Sequence, residues 1–234
     1  MTSYLIEFRF QSKRVNSYLR GMIYHINRKF RVGKGKHVPH ISLLGPFTTN
    51  NEAKLISDFA RICSKTKLLK FKLKGFGTFD SNRVIYVKIN ASDSLNDFRI
   101  KLTNTLRKYC KVKPHDKKNE KEKFAYHSTI VMKLTEKKFN QIKKYINSKP
   151  KPNYSQIVMR ITLLKRGKIL KEYDFMQRRL LNRNQSLNRN TTRKSKELLR
   201  KYMRGTYKPD IKIRKKTRVE SKSFWRKIKS FFGV

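Results

Sequence analysis

From Tyr4 to Phe10 (YLIEFRF) apolar side chains alternate with others in the period of two that a half-buried β-strand requires. The spacing then changes. Val15, Leu19, Met22, Ile23 and Ile26 recur at three and four residues, which predicts a helix with one apolar face. A basic loop, Arg31 to Lys36, leads into HVPHISLLGPF (37–47), an apolar run stopped by Gly45 and Pro46 and read as a strand entering a turn. Asn50 or Asn51 can cap the next helix, which carries Leu55, Ile56, Phe59 and Cys63. Leu69 to Phe79 and Val84 to Ile89 predict a hairpin around Asp80, Ser81 and Asn82, closing a first half near Asn90.

A second series follows. Ser92 or Asp93 caps a helix with Leu95, Phe98, Leu102, Leu106 and Tyr109 on one side, and the polar stretch 111–123 feeds FAYHSTIVMKL (124–134), read as a strand. Thr135 can cap a helix carrying Phe139, Ile142 and Ile146. Gln156 to Leu164 and Ile169 to Phe175 then predict strands turning at Arg166 and Gly167, with the folded part ending near Leu181. The two halves repeat an order of helix, histidine-bearing strand, helix and strands, which suggests an internal duplication in an α+β fold.

Charge changes the picture. The 234 residues include 60 Lys and Arg against 15 Asp and Glu, a formal net charge of +45. Self-repulsion on that scale makes a polyanion, either nucleic acid or an anionic membrane surface, the default partner. With 37% hydrophobic and 12% aromatic residues the chain still has enough apolar surface to fold. No stretch approaches a membrane span, and Glu7, Arg9, Lys13 and Arg14 interrupt any signal core, so a soluble, cytoplasmic protein is expected. Cys63 and Cys110 lack a C-x-x-C partner and are expected to be reduced core residues. From Asn182 onward 18 Lys and Arg face three acidic residues. The chain therefore divides into a domain at 1–181 and a basic, partly helical or disordered C-terminal extension at 182–234. A helix is expected from Thr192 to Met203, and another carries Phe224, Trp225, Ile228, Phe231 and Phe232 on one face.

Two of the five histidines share a local pattern, His40-Ile41-Ser42 and His127-Ser128-Thr129, each within a strand-like run. The period of two places His40 with Ser42, and His127 with Thr129, on one strand face. Two such strands side by side would put two imidazoles and two hydroxyls in one groove. That set suits phosphodiester chemistry in which a ribose hydroxyl takes part: one neutral imidazole accepts a proton, the other, as imidazolium, donates one. The hydroxyls can hold non-bridging phosphate oxygens as charge develops. His37 falls on the opposite strand face from His40, and His25 and His115 read as solvated. With no third ligand and no H-E-x-x-H, neither a zinc site nor another cofactor is predicted.

HVPHISLLGPF and FAYHSTIVMKL resemble the paired H-x-[T/S] motifs of the two-histidine (2H) phosphoesterase superfamily, which includes the LigT-like 2′-5′ RNA ligases and RNA 2′,3′-cyclic phosphodiesterases. The 87-residue separation of His40 and His127, the LLGPF ending, the strand pair around Val84 to Ile89 and the final RITLLKRGKILKEYDF follow that family's order. Ser42 stands where Thr is commoner, which keeps the donor but loses β-branching. The resemblance implies a bilobed, pseudo-symmetric α+β fold, with two antiparallel sheets flanking a central groove and helices outside. It implies that His40 and His127 are the acid/base pair and that Ser42 and Thr129 bind phosphate.

The activity so implied is metal-independent hydrolysis of RNA 2′,3′-cyclic phosphate ends to 2′-phosphomonoesters, with reversible 2′-5′ RNA ligation of such ends as a further activity. RNA with such ends, tRNA-derived fragments included, is the expected partner of a monomeric enzyme. The alternatives are a non-catalytic RNA-binding module and a phosphodiesterase of the same superfamily that trims RNA 3′ ends. Arg31, Lys34, Lys36 and the loop 111–123 could track an RNA backbone, and Phe47 or Tyr126 could stack on a base. The tail reads as an RNA-binding arm, with weak membrane-surface contact as the other use of its last helix.

Overall fold

The computed structural model describes residues 2–33, 38–114 and 124–209. Lys34, Lys36, His37, His115, most of the polar loop after Lys111 and the last tail helix lie outside the described residues.

Strand β1 (Ser3–Arg9) pairs antiparallel with β2 (His40–Thr48), although helix α1 (Lys13–Phe30) runs between them. The helix begins where Ser12 Oγ accepts from the Val15 N–H and ends at Arg31 in the left-handed conformation, φ 51°. Val15, Leu19, Ile23 and Ile26 form its buried stripe, each burial worth about 1.5–3 kcal/mol. Helix α2 (Glu52–Ser64) follows, capped by the Asn51 side chain on the Lys54 N–H. The chain then enters β3 (Lys70–Phe79) and turns into β4 (Val84–Ala91), as the alternation required.

Helix α3 (Asp93–Leu106) connects β4 to β5 (His127–Val131), and α4 (Glu136–Asn147), capped by Thr135, leads to β6 (Asn153–Ile157). Strands β7 (Arg160–Lys165), β8 (Lys168–Asp174) and β9 (Arg179–Leu181) follow, then α5 (Arg183–Leu187) and α6 (Arg189–Met203). The strands form two antiparallel sheets, β2-β1-β7-β8-β9 and β5-β4-β3-β6.

The two halves share one plan. In the first, β1, α1, β2 and α2 are followed by β3, which leaves for the second sheet. In the second, β4, α3, β5 and α4 are followed, after β6, by β7, which leaves for the first sheet. Each motif strand is thus the edge of its sheet and pairs with the strand that opens its own half. Two expectations from the sequence change here. The second half opens at β4, because β4 stands to β5 as β1 stands to β2. The run from Gln156 to Leu164 is two strands on different sheets, since buried Val158 and Met159 carry the chain from one to the other. A continuous apolar run does not register that crossing.

Past Leu181 the described chain stays anchored to the first sheet. Arg160, 3% exposed, donates from Nε to Asp174 Oδ2 (2.7 Å), from Nη1 to Glu172 Oε2 (3.1 Å) and from Nη2 to Ser195 Oγ on α6 (2.9 Å). Ser195 also donates to Asp174, and Tyr207 Oη donates to the Met176 carbonyl. Glu172 accepts a further bond from Thr162 Oγ1 (2.7 Å), so one buried guanidinium and two buried carboxylates are held in a network completed by hydroxyl groups.

Candidate active site

Strands β2 and β5, one edge of each sheet, lie against each other. Along each the predicted alternation holds: His40 and Ser42 are half-buried with Ile41 buried between them, and His127 and Thr129 are half-buried around buried Ser128. The sheets therefore bring the four predicted side chains to adjoining strand edges. The LLGPF ending has a steric cause. Gly45 sits at φ +114°, and a Cβ there would meet the Tyr4 carbonyl oxygen at 3.0 Å. Arg99 of α3, buried, donates from Nε to the Leu43 carbonyl (3.1 Å) and lies over the Phe124 ring at 3.5 Å, so it touches the approaches to both motif strands.

Both imidazoles are oriented in the same way. His40 Nδ1 lies 2.9 Å from the Val38 carbonyl, and His127 Nδ1 lies 2.8 Å from the Ala125 carbonyl. A carbonyl oxygen only accepts, so each Nδ1 carries the hydrogen and each Nε2 is the atom left for proton transfer.

The cross-strand neighbours make the two sites unlike. Opposite His40 and Ser42 on β1 stand Arg9 and Glu7, while opposite His127 and Thr129 on β4 stand Lys88 and Tyr86. Glu7 is 3% exposed; its Oε1 accepts from Arg9 Nε at 2.9 Å, and its Oε2 lies 3.7 Å from His40 Nε2. His127 is enclosed by rings instead, with Phe79 edge-on at 4.9 Å and Tyr86 at 5.2 Å. Burial holds its imidazole below the usual histidine range; the Ala125 hydrogen bond opposes this and the nearby His40 charge adds to it. Gly77 makes the packing possible, because a Cβ there would come within 2.6 Å of the Tyr86 ring.

Sequence reasoning passed over Glu7, Arg9, Phe79, Tyr86 and Lys88. Glu7 and Arg9 registered only as charges that preclude a signal core. Their period-two phase put them on one face of β1, but which strand lay beside that face was decided by pairing across α1. The aromatic expectation is corrected: Phe47 (1% exposed) and Tyr126 (5%) are core residues, sealed from any base, and the rings beside a motif histidine are Phe79 and Tyr86. His25 is exposed and stacks on Tyr145 at 5.7 Å. Among the described residues no three His, Cys, Asp or Glu side chains cluster as a metal site. No described helix is long and apolar enough to cross a membrane.

No curated protein sequence matches the chain. Among solved structures, Escherichia coli LigT complexed with 3′-AMP is similar over 74% of this chain and 96% of its own, at 17% identity and a TM-score of 0.48. A phosphoesterase is similar over 77% of this chain and 93% of its own, at 17% identity and a TM-score of 0.45. Kluyveromyces marxianus Usb1 with uridine monophosphate covers 70% of this chain and 93% of its own, at 14% identity and a TM-score of 0.38. The family model for the 2′-5′ RNA ligase superfamily matches residues 16–169, which include both histidine strands, most of α1, all of α2 to α4 and the exchanged strands β3 and β7. With both motifs inside a match of that length, the chain belongs to the 2′-5′ RNA ligase superfamily.

Proposed function

We propose that the protein is a metal-independent RNA phosphoesterase that opens 2′,3′-cyclic phosphate ends to 2′-phosphomonoesters. The observation that carries this is the convergence of two Nδ1-anchored imidazoles, each with a hydroxyl two residues on, at two adjoining strand edges. In the hydrolytic direction a water attacks phosphorus and gives its proton to Nε2 of His127. The bond from phosphorus to the 3′-oxygen breaks, and that oxygen takes the proton from Nε2 of His40. Ser42 and Thr129 donate to the non-bridging oxygens, where negative charge grows.

The assignment follows from the surroundings. His127, half-buried against two rings that help hold it below the usual histidine range, favours its neutral, basic form, whereas His40 has a carboxylate beside it to pair with an imidazolium. With a 5′-hydroxyl in place of water the same groups, in the same roles, join ends in a 2′-5′ linkage, and they exchange roles when the 3′-hydroxyl attacks that linkage and re-forms the cyclic phosphate. The basic extension and the cations about the motifs suit an RNA substrate.

The test is turnover of a short RNA ending in a 2′,3′-cyclic phosphate, with EDTA present and 2′- resolved from 3′-phosphate products. Wild type should yield the 2′-phosphate, and His40→Ala and His127→Ala should each lose about 10³-fold in kcat. RNA that is bound and left unchanged by wild type would end this reading.

A further inference from the structure

Arg9 stands directly across the strand pair from His40, in a chain whose net charge is +45. Two cations at adjacent cross-strand positions disfavour each other. With Arg9 alone across from it, an imidazolium at His40 would face an unbalanced guanidinium. Glu7 lies between them: one carboxylate oxygen holds Arg9 Nε at 2.9 Å, and the other is 3.7 Å from His40 Nε2. The second distance is too long to claim the imidazole proton and short enough to offset its charge. The Nε2–H therefore stays available to a leaving oxygen. Glu7 is also almost fully buried, so water does little to dilute its field.

We infer that Glu7 is a positioning residue of this site: by balancing Arg9 it keeps a proton on His40 and keeps that proton free for substrate. The inference rests on the proposed acid role of His40. The other charged groups near His40 do not duplicate Glu7. On β5 the facing group is His127, whose charge would oppose that of His40. From α3, Arg99 is directed at the Leu43 carbonyl and the Phe124 ring. Behind Glu7, on β7 and β8, Glu172 is taken up by Thr162 and Arg160. Glu7 is thus the carboxylate among the described residues that reaches His40.

The test compares pH–rate profiles of wild type, Glu7→Gln and Arg9→Gln on the cyclic-phosphate RNA. An acid must be protonated, so His40 governs the falling, high-pH limb. Loss of the carboxylate should move that limb down by about one pH unit, and loss of the guanidinium should move it up. Glu7→Asp should restore part of the wild-type position. The low-pH limb, which belongs to His127, should stay in place. A uniform drop in rate with unmoved limbs, or movement of both variants in the same direction, overturns the inference.

Imidazole titration of His40 followed by NMR in the same three proteins reads the effect without turnover. If wild type turns over no cyclic phosphate, the functional reading fails, and opposite NMR shifts in the two variants would still establish the balance while coincident titrations would refute it. Glu7→Gln keeps an acceptor for Arg9 Nε, and the Arg9 variant leaves the buried carboxylate in place, so a folding failure of one leaves the other to decide.

Discussion

The two motif strands differ in their surroundings far more than in their backbone. Each is an edge strand antiparallel to the strand that opens its half, each anchors its histidine by Nδ1 to the carbonyl two residues before, and each follows with a hydroxyl. Around His40 the neighbours are a carboxylate and a guanidinium; around His127 they are two aromatic rings and an exposed lysine. Two halves on one plan therefore give their histidines unequal surroundings through residues of neighbouring strands, Glu7 and Arg9 on β1 against Phe79 on β3 and Tyr86 on β4, an inequality on which the proposed reaction draws. Acid–base chemistry needs that inequality, since one group must begin protonated and the other free.

The largest way to break the comparison is at the hydroxyls, where the halves should behave alike. Ser42→Ala and Thr129→Val are each expected to lower kcat on the cyclic-phosphate RNA about 100-fold with little change in binding of uncleaved RNA. Single-turnover kinetics beside equilibrium binding will show it, and a loss confined to one of them would mean that only one half holds the phosphate.

A smaller effect is expected at Gly77, which has meaning only in the second half. An alanine Cβ would strike the ring of Tyr86, itself wedged between Phe79 and His127. Gly77→Ala should cost about 1–3 kcal/mol in urea unfolding, the range typical of an overpacked interior.

The finest adjustment is Phe79→Ala. Burial depresses the imidazole of His127, so opening its ring enclosure should let that value rise toward the ordinary one near 6.5. A general base works above its own titration point, so the low-pH limb should move upward, by about half a pH unit. The high-pH limb, set at the other half, should not follow.

What could be read in the sequence was whatever depended on periodicity. The faces of His40, Ser42, His127 and Thr129, the stripe on α1 and the caps at Asn51 and Thr135 all follow from spacing and local hydrogen bonding. What could not be read depended on which distant segments pair. Glu7 and Tyr86 belong to the site through registers set across α1 and α3, and Phe47 and Tyr126, adjacent to the motifs in sequence, turn inward. Arg160 could be counted among the cations but not seen as the buried anchor of α6, because its carboxylate partners lie on β8 and its hydroxyl partner 35 residues ahead.

The exchange of β3 and β7 between the sheets bears on how such a chain comes into being. Neither half is a module: cut between Phe79 and Val84, the first would carry β3 with no β4 to pair it, and the second would keep β7 without β1. The β1–β7 ladder joins residues more than 150 positions apart, Tyr4 to Lys165 and Glu7 to Thr162 among them. On a ribosome, the strand that carries Glu7 waits until nearly all of the domain has been made before its second neighbour arrives. Completion of the interlocked sheets is then a late event, and a chain truncated before β7 has its first motif histidine on a sheet of two strands.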